Sequence, residues 1–556
     1  MTGSNDAGAT ALAAGRWAEA RAAFDRELAA AETAEALSGM AQALWWLGDM
    51  PGSVAFHQRA YSAARRCGDS TAAALTAIAL SITYAANFAD WAVASGWAGR
   101  AGTLLGPEPG TELGAWLHLA RGYSTEDPDL ALTERSRALE LARCSGDPDL
   151  ELCSLTAVGE ALVMTGRVPD GLELVDEAMA AALAGEARRL DTVAYTCCDM
   201  MVSCSLAGDL ERAVQWCRHA DAFTDRYGCP FLYARCRISY GTLLMVVGDW
   251  VEADAQLSTG LRLAASGGTS VRREALAALA VLRTRQGRIT QARALLAEVT
   301  EEFAIAAAMA AVQLAEDRPA EAVAVLERRL RHAGGTWHDV AQLLVLLVDG
   351  HCATGDLTAA RAACDRLVTV AGSTEHDLPR ALAASAQGRI LLAAGDGRAA
   401  ADRLEEAIGL YGRLNRPWEL ACTRLVLAQA LTGTRPKVAI AEAFTALETF
   451  EALGAGAGAN AAAALLRSLG APGRRQPRSH ALLTHRQQEV FDLMTQGLSN
   501  PEIAHRLYIS TKTAAHHVSA VLSKLGVSRR TEAIALAAGQ RTEPNETPTR
   551  TAPGNR

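Results

Sequence analysis

The chain has almost no lysine: in 556 residues it occurs only at Lys437, Lys512 and Lys524, so the positive charge is nearly all arginine. No lysine precedes residue 437, and no G-x-x-x-x-G-K-[ST] run occurs. A phosphate-binding loop of that type needs its lysine on the phosphates and is excluded. A phosphoreceiver domain, which needs a lysine near its phosphorylated Asp and alternating strands and helices, is excluded likewise. The twelve cysteines form no C-x-x-C pair. Cys197, Cys198 and Cys204 sit in a mostly apolar run, and Cys67, Cys144, Cys153, Cys352, Cys364 and Cys422 are scattered. In a reducing compartment single helical cysteines are usually small buried hydrophobes; a redox role for Cys197–Cys198 is the alternative. His57, His118 and His351 have no partners at ligand spacing. The expectation is therefore no catalytic residue, no cofactor, no metal and no enzyme.

Long apolar runs are also missing to the eye. The best candidate, Phe303 to Val312, is about half of the roughly 20 residues a bilayer-spanning helix needs. Met1 to Thr10 is polar and small, without a basic start or an apolar stretch behind it, which predicts no signal peptide. The expected location is the cytoplasm, with no membrane partner.

Aromatic residues make up 5% of the chain, while half of it is hydrophobic and 21% is charged. Alanine supplies most of the apolar share, and proline is sparse. That balance favours helix over sheet, and the length favours two or more domains. Charge is placed unevenly. From Arg474 to Arg541 ten Lys or Arg face four acidic residues, a net +6. The whole chain carries −8, which leaves −14 for the remainder. An acidic body with a basic C-terminal module is the electrostatic footprint of a nucleic-acid binder.

The body repeats a turn of Gly, then Asp or Arg, then usually an apolar residue. It occurs at Gly15, Gly48, Gly166, Gly208, Gly248, Gly287 and Gly355, more weakly at Gly395, with Glu316-Asp317-Arg318 as an approximate member. Five residues past each Gly stands a small residue: Ala20, Ser53, Gly171, Ala213, Ala253, Ala292, Ala360 and Ala400. Gly ends one helix in a left-handed cap, and the small side chain one turn into the next helix lets the pair pack closely. Such hairpins are the unit of a helical solenoid. The pattern resembles tetratricopeptide repeats, with a period near 40 against their 34; HEAT-like packing is the alternative. Residues 85–150 and 300–340 fit the register poorly. A solenoid of this kind binds a protein or small effector on its concave face, or serves as a spacer or dimerisation scaffold.

Residues 1–7 are expected to be a disordered tail and 8–453 the solenoid. Residues 454–480 read as a linker holding a short helix, Ala461 to Leu469, then a basic Gly/Pro-rich stretch that either sits near DNA phosphates or serves as a tether. Beyond it the spacing predicts four helices over 481–538. The first begins at Leu483-Thr484, with Val490, Leu493 and Met494 on one face, and Gly497 ends it. Ser499 and Glu502 have capping-box spacing for the second, as Thr484 and Gln487 do for the first. Ile503, Ala504 and Leu507 form the second helix's core face, and Tyr508-Ile509-Ser510 makes the turn. Ser510 is placed to cap a third helix, about Thr511 to Leu525, stopped by Gly526. Ser528 is placed to cap a fourth, with Ala533, Ile534 and Leu536. On the third helix Ala514, Val518, Val521, Leu522 and Leu525 form a buried stripe, while Lys512, Ala515, His516, Ser519 and Ser523 face out. Residues 539–556 read as a disordered tail.

These residues closely resemble the LuxR-type (GerE-type) helix-turn-helix. The family pattern is L-T-x-R-E-x-E-V, then G-x-S-N-x-E-I-A-x-x-L-x-I-S-x-x-T-V-K-x-H-x-x-x-I-x-x-K-L-x-V. The chain matches at Leu483, Thr484, Arg486, Glu489, Val490, Gly497, Ser499, Asn500, Glu502, Ile503, Ala504, Leu507, Ile509, Ser510, Thr513, His517, Lys524, Leu525 and Val527. Gln487 departs from the family Glu, and Ala514-Ala515 from Val-Lys, which removes one charged DNA contact. The body resembles the solenoid of large regulators of this family without their N-terminal ATPase. The resulting expectation is an all-α chain: a tetratricopeptide-like hairpin solenoid followed by a four-helix LuxR-type DNA-binding domain.

The resemblance implies a sequence-specific transcription regulator on double-stranded DNA. It further implies an inverted-repeat site, a homodimer through the fourth helix, and RNA polymerase as a further candidate partner. The N-terminal part of a recognition helix enters the major groove. Ala515 could then meet a thymine methyl, and His516 or Ser519 a base edge. Thr511, Lys512, Thr513, His517, Arg506, Arg529 and Arg530 are the expected phosphate contacts, which position without specifying; for His517, capping or packing is the alternative. A competing reading is a solenoid adaptor that binds a protein partner and uses DNA as an anchor. A sigma factor ranks lower, because the acidic body lacks an aromatic and basic promoter-melting region.

Overall fold

The computed structural model describes residues 5–228, 230–264, 269–299, 305–332, 334–471, 485–507, 509–524, 530 and 533. Among these residues every regular element is a helix and none is a strand. The chain divides into two units, Met1–Leu469 and Gly470–Arg556.

The first unit is a run of antiparallel helical hairpins, from Asn5–Ala13 with Trp17–Ala30 to Pro417–Leu431 with Pro436–Leu453, closed by a single helix, Gly456–Ser468. The repeated turn is built as its residue types dictate. Gly15, Gly48, Gly166, Gly208, Gly248, Gly287, Gly355 and Gly395 all have positive φ, between 70° and 97°. Where Asp follows Gly, its carboxylate caps the next helix: Asp49 accepts from Gly52 N at 2.9 Å, Asp356 from Ala359 N and Asp396 from Ala399 N, both at 3.0 Å. Where Arg follows, at Arg167, Arg288 or Arg318, no side-chain cap forms. The small residues five positions on are buried as the spacing required; Ala20, Ser53, Ala213, Ala253, Ala292, Ala360 and Ala400 have no exposed surface.

The stretches that broke the sequence register keep the same turn with different residues. In 85–150 the turn is Ala89-Asp90-Trp91, with Ala89 itself left-handed at φ 53° and Ala94, five on, fully buried. It follows a π-helical segment, Tyr84–Phe88. Near 317, Asp317 takes the left-handed position at φ 59°, and Ala322 is the buried small residue. Non-glycine residues in this conformation are uncommon, which is why a pattern keyed on Gly passes over Ala89 and finds the 317 turn only approximately.

The hairpins wind so that each turn of the superhelix packs on the next. Gly335 N donates to Glu126 O at 3.0 Å, Trp337 Nε1 to Val163 O at 2.8 Å, and Thr374 Oγ1 to Gly166 O at 3.1 Å. His376 Nε2 lies 3.1 Å from Ala207 O. Arg285 pairs with Glu419 at 3.4 Å, and Trp17 donates to Tyr227 O. These partners stand between 134 and 210 residues apart.

Three expectations are corrected. The helix expected at Ala461 to Leu469 in the linker spans Gly456–Ser468 and packs into the body, burying Ala455, Ala462 and Leu466. The expected tail 1–7 overlaps the first helix, which begins at Asn5. The segment Ser70–Phe88 is, by length and mean hydropathy (1.4 over 18 residues), apolar enough to cross a bilayer. Its Ala, Ser and Thr disguise that in the sequence. In the fold 61% of that window is buried, as in the core helix of a solenoid. The tails 1–4 and 539–556, and the basic stretch 472–480, lie outside the described residues.

Candidate nucleic-acid interface

In the second unit three helices are described: His485–Thr495, Asn500–Leu507 and Thr511–Lys524. One apolar cluster joins them. Val490, Met494, Ile503, Ala514, Val521 and Ala533 are buried, and Leu498, Leu507, Ile509 and Leu522 pack partly against it. The periods read from the sequence placed these side chains on the inner faces.

The turns are fixed by local hydrogen bonds. Gly497 has φ 86°, and Leu498 N donates to Leu493 O, closing the first helix. Ser499 N and Oγ both donate to Glu502 Oε2, at 2.7 and 2.6 Å, the side-chain half of the expected capping box. These bonds hold the Glu502 carboxyl below its ordinary range. Ser510 Oγ accepts from Thr513 N at 3.0 Å and lies 2.7 Å from Thr513 Oγ1, capping the third helix as its position required. Two arginines brace the arrangement. Arg486 donates to Glu489 Oε2 at 2.7 Å and to Leu507 O at 2.5 Å. Arg530 donates to Asn500 Oδ1 at 3.2 Å and to Leu498 O.

The predicted site residues then separate. Thr511, Lys512, His516 and Ser519 are exposed and Ala515 is half-buried, on one face of the third helix. Arg506, on the second helix, is exposed too. Three residues fall elsewhere. His517 is 8% exposed, three residues from Ala514 and four from Val521, as the packing alternative expects. The Thr513 hydroxyl lies on the Ser510 cap, and Arg530 places Nη1 and Nη2 on the Asn500–Leu498 turn. The sequence offered no sign of the Arg486 and Arg530 braces beyond the family pattern at Arg486, because their acceptors are backbone carbonyls 21 and 32 residues away. Arg529, the caps proposed at Thr484 and Ser528, Leu483, Tyr508, Leu525, Gly526, Ile534 and Leu536 lie outside the described residues, as do the side chains of Ser523 and Lys524.

Among the described residues no group of three His, Cys, Asp or Glu could hold a metal. Every cysteine described is a free thiol. Cys197 and Cys204 are fully buried, and burial pushes the Cys204 thiol up. His118 pairs with Glu134 at 2.7 Å.

Comparison with known proteins falls on the same residues. Residues 481–537 match bacterial regulatory proteins of the luxR family. The spore germination protein GerE of Bacillus subtilis is 46% identical over 56 residues, 10% of this chain and 76% of GerE. The DNA-binding transcriptional activator DevR/DosR of Mycobacterium tuberculosis is 41% identical over 78 residues, 14% of this chain but 35% of that protein. The chain thus spans most of GerE and about a third of DevR/DosR. A solved structure of a Rap protein complexed with competence and sporulation factor aligns with 72% of this chain and 98% of its own, at 13% identity and TM-score 0.39. The helix-turn-helix core, its two capped turns and the match over 481–537 together make this chain a member of the LuxR family of bacterial regulatory proteins, carrying its DNA-binding domain behind a tetratricopeptide-like helical body.

Proposed function

We propose that the chain reads an inverted-repeat operator as a homodimer, and that its helical body controls this binding in response to an effector. The observation that carries the DNA reading is the exposed face of Thr511–Lys524, where Ala515, His516 and Ser519 stand over a buried three-helix core. A rigid helix with polar side chains at this spacing suits base-edge readout in a major groove. Thr511, Lys512, Arg506 and Arg529 serve as the phosphate contacts that set its register. The body's superhelix supplies the regulatory surface.

Sequencing of genomic fragments retained by the purified protein tests the DNA reading. A shared inverted-repeat motif is expected, and the His516→Ala/Ser519→Ala double variant should lose or alter it. Retention without sequence preference, unaffected by the double variant and abolished by salt, would overturn specific readout and favour the adaptor reading. For the body, removal of residues 1–470 should change operator affinity or oligomeric state; equal binding by both forms would remove the control role.

A further inference from the structure

The body's first hairpins form two adjoining, half-open cavities. The larger, of about 480 Å³, is lined by Phe24, Glu27, Glu35, Trp116 and Asp191 among others. The smaller, of about 240 Å³, is lined by Asn87, Trp91, Tyr123, Glu160 and Asp199 among others. Trp45, Ile82, Thr83 and Tyr195 line both. The Trp45 and Tyr195 rings, with centroids 6.0 Å apart, stand between the chambers. Aromatic walls with a few convergent polar groups are the ordinary make-up of a small-molecule site.

The charges here are unbalanced. Each guanidinium on the walls already has a carboxylate: Arg135 pairs with Glu160 at 2.7 Å, Arg189 with Asp191 at 2.5 Å, and Arg235 with Glu274 at 3.6 Å. Glu27 and Glu35 have no basic partner among the described residues, while Asp199 accepts from Tyr123 Oη at 2.7 Å and feels the Arg135 charge without forming an ion pair with it. Three buried polar atoms on these walls are left without a hydrogen bond, one of them His57 Nδ1 in the larger chamber. Glu27 Oε1, in the larger chamber, lacks a donor. Asn87 Nδ2, in the smaller, lacks an acceptor, on a residue 1% exposed. An unsatisfied buried polar atom weakens the fold, so Glu27 and Asn87 call for a ligand group. Asn87 is aimed by its backbone. It lies in the π-helical segment Tyr84–Phe88, a distortion frequent at functional sites. From a later turn of the superhelix Arg235 Nη2 donates to Ala86 O at 3.0 Å, and Ser270 Oγ to Asn87 O at 2.8 Å, clamping the segment.

We infer that these chambers bind a small organic amine with an apolar, flat body: its ammonium beside Glu27 or Asp199, its body against Trp45 and Tyr195, and a hydrogen-bond acceptor on Asn87. The surplus carboxyl groups favour a cation, and the aromatic faces attract one as well. Burial and nearby Glu160 hold the Asp199 carboxyl well above its ordinary range, and a cation beside it offsets both effects. This deepens the reading of the body as a sensor and rests on it only for the consequence on DNA.

Calorimetric titration of the full chain without DNA tests the site. The probes are phenethylamine, tryptamine and phenylalanine β-naphthylamide, each beside its N-acetylated form. At least one amine should bind at one site per chain about tenfold more tightly than its acetylated form, the discrimination of a charge-assisted hydrogen bond. Glu27→Gln or Asp199→Asn should remove most of that preference. Glu27→Gln keeps the size of a partly exposed side chain, so its fold, checked by circular dichroism, should survive. If no amine outbinds its acetylated form, or if the preference survives both substitutions, the inference is overturned. Operator affinity with and without the bound amine is measured separately: an unchanged value removes the control role of the body and leaves the site standing.

Discussion

At the scale of single residues the body depends on missing side chains. Gly159 and Gly171 face each other across one hairpin, and a Cβ on Gly171 would stand 2.4 Å from Gly159 O. Backbone cannot yield as a side-chain tip does, so Gly171→Ala should destabilise by about 1–3 kcal/mol, read as a lower urea midpoint. Gly409, inside Gly397–Arg413, has nothing within 4 Å of its would-be Cβ. Gly409→Ala should stabilise by about 0.5–1 kcal/mol, because only its backbone freedom is at stake. Equal effects at the two sites would refute the close-packing account.

His57 is buried, and desolvation brings its pKa down from 6.5 to about 4. The unfolded chain then binds this proton more readily than the folded one. Stability from this group is complete above about pH 6.5 and is lost as pH falls toward 4, by about 3 kcal/mol in all. His57→Gln should flatten the pH dependence of the urea midpoint in that window; an unchanged slope would show that the ring is not held neutral.

At the scale of elements, local hydrogen bonds decide where helices begin. Ser510→Ala removes the cap of Thr511–Lys524 and should cost about 1 kcal/mol, with weaker operator binding as the first turn, carrying Thr511 and Lys512, loosens. Asp317 strains a position that glycine fills elsewhere, so Asp317→Gly should raise the thermal midpoint, by about 0.5–1 kcal/mol of stability. A fall would mean that the Asp317 side chain does more than turn the chain. Most such signals were legible in advance. The Gly-Asp turns, the Ser499–Glu502 and Ser510 caps, and the small residue five past each turn involve residues within a few positions of each other. Ala89 was missed, and the Asp317 turn was placed only approximately, because a non-glycine residue reaches the left-handed region only when its surroundings hold it there. The burial of His517 was half-legible: its spacing from Ala514 and Val521 pointed inward, while the family motif drew attention to its charge.

At the scale of the whole molecule, the body is held by contacts between superhelical turns. Trp337→Phe keeps the ring in its buried place but deletes the bond to Val163 O, which keeps the bond it accepts from Gly166 N at 3.1 Å. It should cost about 0.5–1.5 kcal/mol, although Val163 lies 174 residues away. A cost shared with Val163→Ala, smaller in the double variant than the sum of the singles, would show that the two turns couple. Additive costs would show that each turn stands alone.

The sequence by itself determined the helical class, most of the repeated hairpins, the DNA-binding module and the outward face of its third helix. Periodicity, caps and turns act over fewer than ten residues, and the amino-acid order records them directly. The tertiary structure alone decided that the superhelical turns touch, that Arg486 and Arg530 brace turns, and that Glu27, Asn87 and Asp199 line adjoining chambers. Each of these depends on which distant backbone and side-chain atoms the winding brings within a few ångströms, and no local spacing along the chain encodes that distance.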